Sequence, residues 1–252
     1  MISCLDRPPN ETWHDTIPTG YMYNNRWYSL SCTNKMLRTR AAYTKCLTNR
    51  SIYFLGDSTT RAWLTYLKSF LNLKEIKDAG GQNIRTERHD LNISLSWAPH
   101  EFPFYGSAKS NRFKIRSVAS HLDEIPTNSK GVVVLHWYLH LGRASHNIYR
   151  QHIQNAKQSI KRLTERSPNI KIFIKGPHSV QYWYHIEPHD YVKKYQQQIL
   201  YEEFQDFQEK IIYLDEWDMT VGIENVNIHP PVSVDREMVH TLMSYVCPEE
   251  KE

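Results

Sequence analysis

Ser58 and His229 are the residues whose types and surroundings point most directly to chemistry. Ser58 lies in Gly56-Asp57-Ser58-Thr59-Thr60-Arg61, directly after the apolar run Ser51-Ile-Tyr-Phe-Leu55. Gly56 permits a sharp turn, and a serine at the start of the following helix would lie beside unpaired backbone N–H groups and the positive end of the helix dipole. That setting suits a nucleophile whose reaction generates an oxyanion, and it is equally the place of an ordinary N-cap serine. A serine nucleophile needs a base. Among thirteen histidines, His229 ranks first, because it follows the last strand and precedes Pro230-Pro231 and the final helix. His136 and His140 follow the third apolar strand, and His178 follows the Gly176-Pro177 turn. The pattern is neither the G-x-S-x-G elbow nor a P-loop.

These side chains need elements to position them. The run 51–55 reads as a strand, and Trp63, Leu64, Leu67, Phe70 and Leu71 then fall at helical spacing. Residues 78–90, with Gly80-Gly81, read as turn-rich, and 98–106 as loop. Leu91 to Trp97 alternates apolar and polar as a strand with one wet face. Further strands are predicted at 131–135, 170–174 and 210–214, and helices at 147–166, 190–209 and 234–246. Strands alternating with helices give an α/β fold with a mostly parallel sheet covered on both faces, whose ligands bind at the carboxyl ends of the strands. The division expected is an irregular lead-in, residues 1–50, packed on one domain, residues 51–252.

The 252 residues are 40% hydrophobic and 23% charged, which excludes a disordered chain, a coiled coil and a collagen-like repeat. No apolar run approaches a membrane span, and a net charge of +4 spread among 27 acids does not make a nucleic-acid surface. Aromatics reach 12%, and Trp63, Trp97, Trp137, Tyr138 and Trp217 fall near the strand ends. They serve either as core or as the walls of a carbohydrate-facing cleft. Cys4, Cys32, Cys46 and Cys247 have no metal-ligand spacing, so no metal site is expected. Four cysteines allow three connectivities; the expected pairs are Cys32 with Cys46, closing a short loop, and Cys4 with Cys247, tying the termini. Sequons at Asn10, Asn49 and Asn92 point to the secretory pathway, whereas the N-terminus has no signal-peptide pattern. The expectation that reconciles them is the C-terminal part of a longer secreted or membrane-anchored protein.

Gly-Asp-Ser after an early strand, with a histidine just before the last helix, is the layout of GDSL/SGNH-type acyl hydrolases and transferases. More narrowly, the chain resembles the PC-esterase domain of the NXPE family. The stretches that carry the resemblance are Gly20 to Trp27, Ser51 to Trp63, Ile174-Lys-Gly-Pro177, Asp215 to Thr220, Asn227-Ile-His-Pro-Pro231 and Met243-Ser-Tyr-Val-Cys247. The resemblance implies an SGNH-hydrolase-like three-layer sandwich and an acyl-serine mechanism in the Golgi lumen or outside the cell. It implies O-acetyl transfer onto glycans, with sialic acid as the suggested acceptor and acetyl-CoA as a donor rather than a bound cofactor. In that frame Ser58 attacks and His229 takes its proton. Gly56 and Asp57 shape the turn, and the Ser58 N–H helps form the oxyanion hole. His140 is a second donor or substrate contact, and Arg61 meets a carboxylate or pyrophosphate. One departure matters: the family's D-x-x-H acid is replaced by Val226, with Asn225 and Asn227 as its polar neighbours. Either Asp218 reaches in from the preceding loop, or a carbonyl serves, or the site is weakened. The alternative reading is therefore a secreted glycan- or protein-binding domain on the same fold.

Overall fold

The structure, a computed structural model, describes residues 1–76, 83–101, 115–180 and 190–248. Gly80-Gly81 and the loop beyond residue 101 lie outside the described residues. The order of elements is β1 (Gly20–Tyr23), β2 (Arg26–Ser29), α1 (Arg40–Leu47), β3 (Ser51–Leu55), α2 (Ser58–Leu71), β4 (Lys74–Ile76), β5 (Ile84–Arg88) and β6 (Ile93–Ala98). There follow α3 (Val118–Asp123), β7 (Val132–Leu135), α4 (His146–Arg166), β8 (Lys171–Lys175), α5 (Asp190–Phe204), β9 (Ile211–Leu214), α6 (Trp217–Val221) and α7 (Val232–Ser244). Residues 84–88, expected to be turn, form β5, which pairs antiparallel with the wet-faced strand β6.

Seven strands form one sheet in the order β4-β5-β6-β3-β7-β8-β9. From β6 to β9 all pairings are parallel, and both the central strand β7 and the edge strand β9 are buried at every residue, as expected when the sheet is covered. One face packs on α2 and α7, with Leu64, Leu67, Leu242 and Met243 in its core; the other packs on α3, α4 and α5, with Leu122, Ile153, Ile160 and Leu200. This is the three-layer α/β sandwich. Each such leucine is worth about 2 kcal/mol in burial. Among the described residues, no helix is long and apolar enough to cross a membrane.

The first fifty residues carry the β1–β2 hairpin and α1 and are stitched to the sheet. Trp13 is buried and donates from Nε1 to the Ile211 carbonyl, while Thr12 Oγ1 accepts from Tyr213 N–H. The disulfides differ from expectation. Cys4 pairs with Cys32, and Cys46 pairs with Cys247. Tertiary packing decides this. Residues 2–4 run beside Thr33 through a bridge and two backbone hydrogen bonds, bringing Cys4 to Cys32. Helices α1 and α7 both pack against α2, so Cys46, near the end of α1, meets Cys247, just beyond α7.

Candidate active site

The turn that carries Ser58 is built by its neighbours. A Cβ on Gly56 would lie 2.9 Å from both Cβ and O of His136, so only glycine fits where β3 meets the chain leaving β7. Asp57 is the N-cap of α2: Oδ1 accepts from Thr59 N–H at 2.9 Å and from Thr59 Oγ1 at 2.7 Å, and Oδ2 accepts from Leu139 N–H at 3.1 Å. Ser58 then opens the helix, and its own N–H has no acceptor among the described residues. The indole of Trp97 donates to the Asp57 carbonyl at 3.2 Å, closing the underside of the turn.

His229 arrives on the loop between α6 and α7. His178 donates from Nε2 to the Ile228 carbonyl at 2.9 Å, and buried Asn225 donates to the carbonyls of Ser179 and Asn227. So anchored, the exposed His229 places Nε2 2.6 Å from Ser58 Oγ. Burial holds the imidazole below its ordinary range, Asp57 raises it and Arg61 lowers it further. The ring is therefore a neutral acceptor at neutral pH, and the serine hydroxyl donates to it.

Of the three ways in which the absent D-x-x-H acid could be met, Asp218 is engaged elsewhere. Asp218 Oδ2 accepts from Thr19 N–H at 2.7 Å and Thr19 Oγ1 at 3.1 Å, fastening β1 to α6. Asn225 is engaged within its own loop, and Val226 is 48% exposed, so its position does not turn toward the ring. Among the described residues no carboxylate lies within ion-pair reach of His229; the negative field it feels is that of Asp57.

Below the pair, Asp57 and His136 belong to a buried polar cluster whose third member, Lys175, sequence reasoning missed. Lys175, at the end of β8, is 1% exposed. Its Nζ lies 3.4 Å from Thr59 Oγ1 and 3.4 Å from His136 Nε2, over the face of Trp63. His136 donates from Nδ1 to the Lys175 carbonyl, which leaves Nε2 as an acceptor, and burial together with Lys175 lowers its pKa to about 3. Burial disfavours the Asp57 charge, yet His136, Lys175, His140 and the Thr59 hydrogen bond hold its carboxyl well below the usual range. With His136 neutral, Lys175 is the standing counter-charge. Farther from the turn, burial raises Glu216 to about 8 and Asp235 to about 7, against the pull of Lys175. The only hint in the sequence is a lysine that ends an otherwise apolar strand, Ile172-Phe-Ile-Lys175.

The remaining candidates sort as follows. His140 is half-buried beside His100, with ring centroids 5.1 Å apart, and its charge is felt by Asp57. Arg61 is exposed and lies 5.4 Å over the Trp97 ring, with no carboxylate partner among the described residues. Trp63, Trp97, Trp137 and Tyr138 are buried core, not the walls of an open cleft, while half-buried Trp217 carries Lys194 over its face at 4.0 Å. Asn49 and Asn92 are exposed beside β3 and β6 at the opposite end of the sheet, and Asn92 Nδ2 donates to Asn49 Oδ1 at 3.2 Å. Asn10 is half-buried.

Fold and geometry together define a three-layer α/β domain with a serine–histidine pair at the carboxyl end of its central strands. Its family can be stated. The chain belongs to the family described as NXPE family member 4-like, C-terminal domain, which it matches over residues 27–247. Among solved structures it is similar to an active-site mutant of a family two carbohydrate esterase from Clostridium thermocellum. The two are 16% identical with a TM-score of 0.39, and the match covers 77% of this chain and 62% of that one.

Proposed function

We propose that this domain is an acyl-serine enzyme acting on glycans, an O-acetyltransferase with Ser58 as nucleophile and His229 as base. The observation that carries the reading is the 2.6 Å contact between His229 Nε2 and Ser58 Oγ at the amino end of α2. Ser58 Oγ attacks the acetyl carbonyl carbon of a donor such as acetyl-CoA, and its proton passes to His229 Nε2. The tetrahedral oxyanion is met by the Ser58 N–H, which no acceptor among the described residues occupies. Collapse breaks the bond to the leaving group, which takes the proton from His229. A sugar hydroxyl then attacks acetyl-Ser58, giving its proton to His229; the bond from the acetyl carbon to Ser58 Oγ breaks, Oγ takes that proton back from His229, and the O-acetylated glycan leaves. Buried Asp57 stabilises the transient imidazolium through its field rather than by a direct hydrogen bond.

A sialic-acid-type acceptor and a secretory setting complete the proposal. The setting is supported by two disulfides and by the exposed sequons at Asn49 and Asn92. A second reading, a glycan-binding domain of weakened activity, draws on one observation: the exposed Val226 leaves His229 without an adjacent carboxylate. The test is donor consumption with and without a sialylated glycan, with mass spectrometry of the glycan. The proposal expects glycan acetylation to outpace release of free acetate. Acetate alone would make the protein an esterase, and glycan binding with neither product would favour the second reading.

A further inference from the structure

Apart from the Ser58–His229 pair, a cavity of about 390 Å³ opens where the β1–β2 hairpin, α2 and α7 meet. It is lined by Arg26, Arg38 and Arg236 on one side and by Tyr66 and Phe70 on the other. Buried Glu237 accepts from Arg38 at 2.5 and 2.6 Å and from Arg236 at 3.2 Å, so one carboxylate serves two guanidinium groups. Arg26 is exposed, and its guanidinium has no carboxylate or hydrogen-bond partner among the described residues. Asn24 and Asn25, at φ 48 and 57, make the tight turn that presents it, and Arg236 donates to the Asn25 carbonyl at 3.1 Å. The three cations converge: His240, at the cavity wall, is pushed down to about 4 by burial and then by Arg38, Arg26 and Arg236. The cavity thus holds a net excess of two positive charges. The half-buried ring of Tyr66 stacks on Phe70 at 5.6 Å and 14°.

Guanidinium forks select phosphate oxygens, and a flat aromatic wall selects a planar base. The cavity volume is within the range that holds a nucleotide-sized ligand. Tyr66 lies two turns along α2 from Ser58, about 12 Å at the rise of a helix, and Arg236 lies on α7 shortly after His229. We propose that this cavity anchors the phosphorylated nucleotide end of a coenzyme A-type acyl donor, with the pantetheine arm spanning the distance to Ser58. The proposal rests on the transferase reading. In the step it serves, the thioester C–S bond breaks as the bond to Ser58 Oγ forms, the serine proton goes to His229, and the thiolate leaves with that proton.

The experiment measures binding of adenosine 3′,5′-bisphosphate to the Ser58→Ala protein by calorimetry and NMR, so no turnover is needed. Saturable binding is expected, weakened at least tenfold by Arg26→Glu and by Tyr66→Ala. Arg88→Ala, on the far strand β5, is expected to bind as the parent does. Absence of binding, or binding indifferent to both cavity variants, overturns the proposal. So does a sulfated hexasaccharide that binds through Arg26 where the bisphosphate does not, because the cavity would then belong to the acceptor. If the bisphosphate binds as expected but acetyl-CoA never acylates Ser58 in the unsubstituted protein, the site stands and the enzymatic reading fails.

Discussion

The Ser58–His229 pair and the charges beneath it are held in opposite ways. The pair is open to water, and His229 depends on one loop fastened by His178 and Asn225. Beneath it, Asp57, His136 and Lys175 are enclosed on every side: His136 Nε2 lies 3.8 Å from Asp57 Oδ2 and 3.4 Å from Lys175 Nζ, and the Lys175 charge acts on Asp57 through its field. A buried carboxylate stays ionised only with hydrogen bonds and a counter-charge, and Asp57 has both. The contrast teaches where the missing acid's work goes. With Val226 turned outward, the negative charge that favours imidazolium comes from below, through Asp57 and its N-cap position, instead of from beside the ring.

The comparison is broken most severely by separating activity from stability. Ser58→Ala is expected to reduce acyl transfer on the order of 10⁴-fold or more while leaving the melting temperature unchanged, since it removes one hydroxyl from an open face. Lys175→Met is expected to do the reverse first. It leaves Asp57 buried without its ammonium and should cost about 3 kcal/mol in denaturant unfolding. A Lys175→Met protein as stable as the parent would show that the ammonium is not the counter-charge of Asp57. Asp57→Asn sharpens the link between the regions: turnover should fall on the order of 10²-fold, and the His229 imidazole, read by NMR titration, should move further down. An unchanged His229 titration would separate the two regions.

The smallest effect is on pH dependence. His136 and His100 have pKa values lowered to about 3 and about 4, with His178 well below its ordinary value, so their unfolded forms bind protons that the folded forms refuse. Stability therefore drops as pH falls below about 6.5. Glu216 and Asp235, raised to about 8 and about 7, act the other way, holding protons that their unfolded forms have released. Below pH 6.5 the histidines outnumber the two acids and prevail; above it the histidine contribution fades while that of the acids persists, and stability falls until about pH 8. A stability maximum near pH 6.5 is expected by urea unfolding across pH, with Glu216→Gln flattening the alkaline limb. An alkaline limb that Glu216→Gln leaves as steep as before would remove Glu216 from the account.

The sequence made the sheet and the nucleophile turn readable for a common physical reason. A run such as Val132 to Leu135 between turn signals reads as a buried strand, and Gly56-Asp57-Ser58 between a strand and a helical pattern reads as a sharp entry into a helix, although the cap proved to be Asp57 and not Ser58. The β1–β2 hairpin escaped, although Asn24-Asn25 carries the left-handed turn signal, because its alternating tyrosines face outward and bury little. The disulfides escaped because connectivity follows from which helices pack together, not from spacing. Lys175 escaped because a lysine at a strand end reads as a solvated terminus, and only the fold reveals the buried carboxylate it answers.

The most direct measurement is capture of the intermediate. The protein is mixed with an aryl acetate, quenched in acid within the first turnover and digested, and the Ser58 peptide is weighed. The account predicts one acetyl group on Ser58, absent in Ser58→Ala and accumulating in His229→Ala only with marked delay. Acetate release at full rate with no acetyl on Ser58, or with acetyl on another residue, would contradict it.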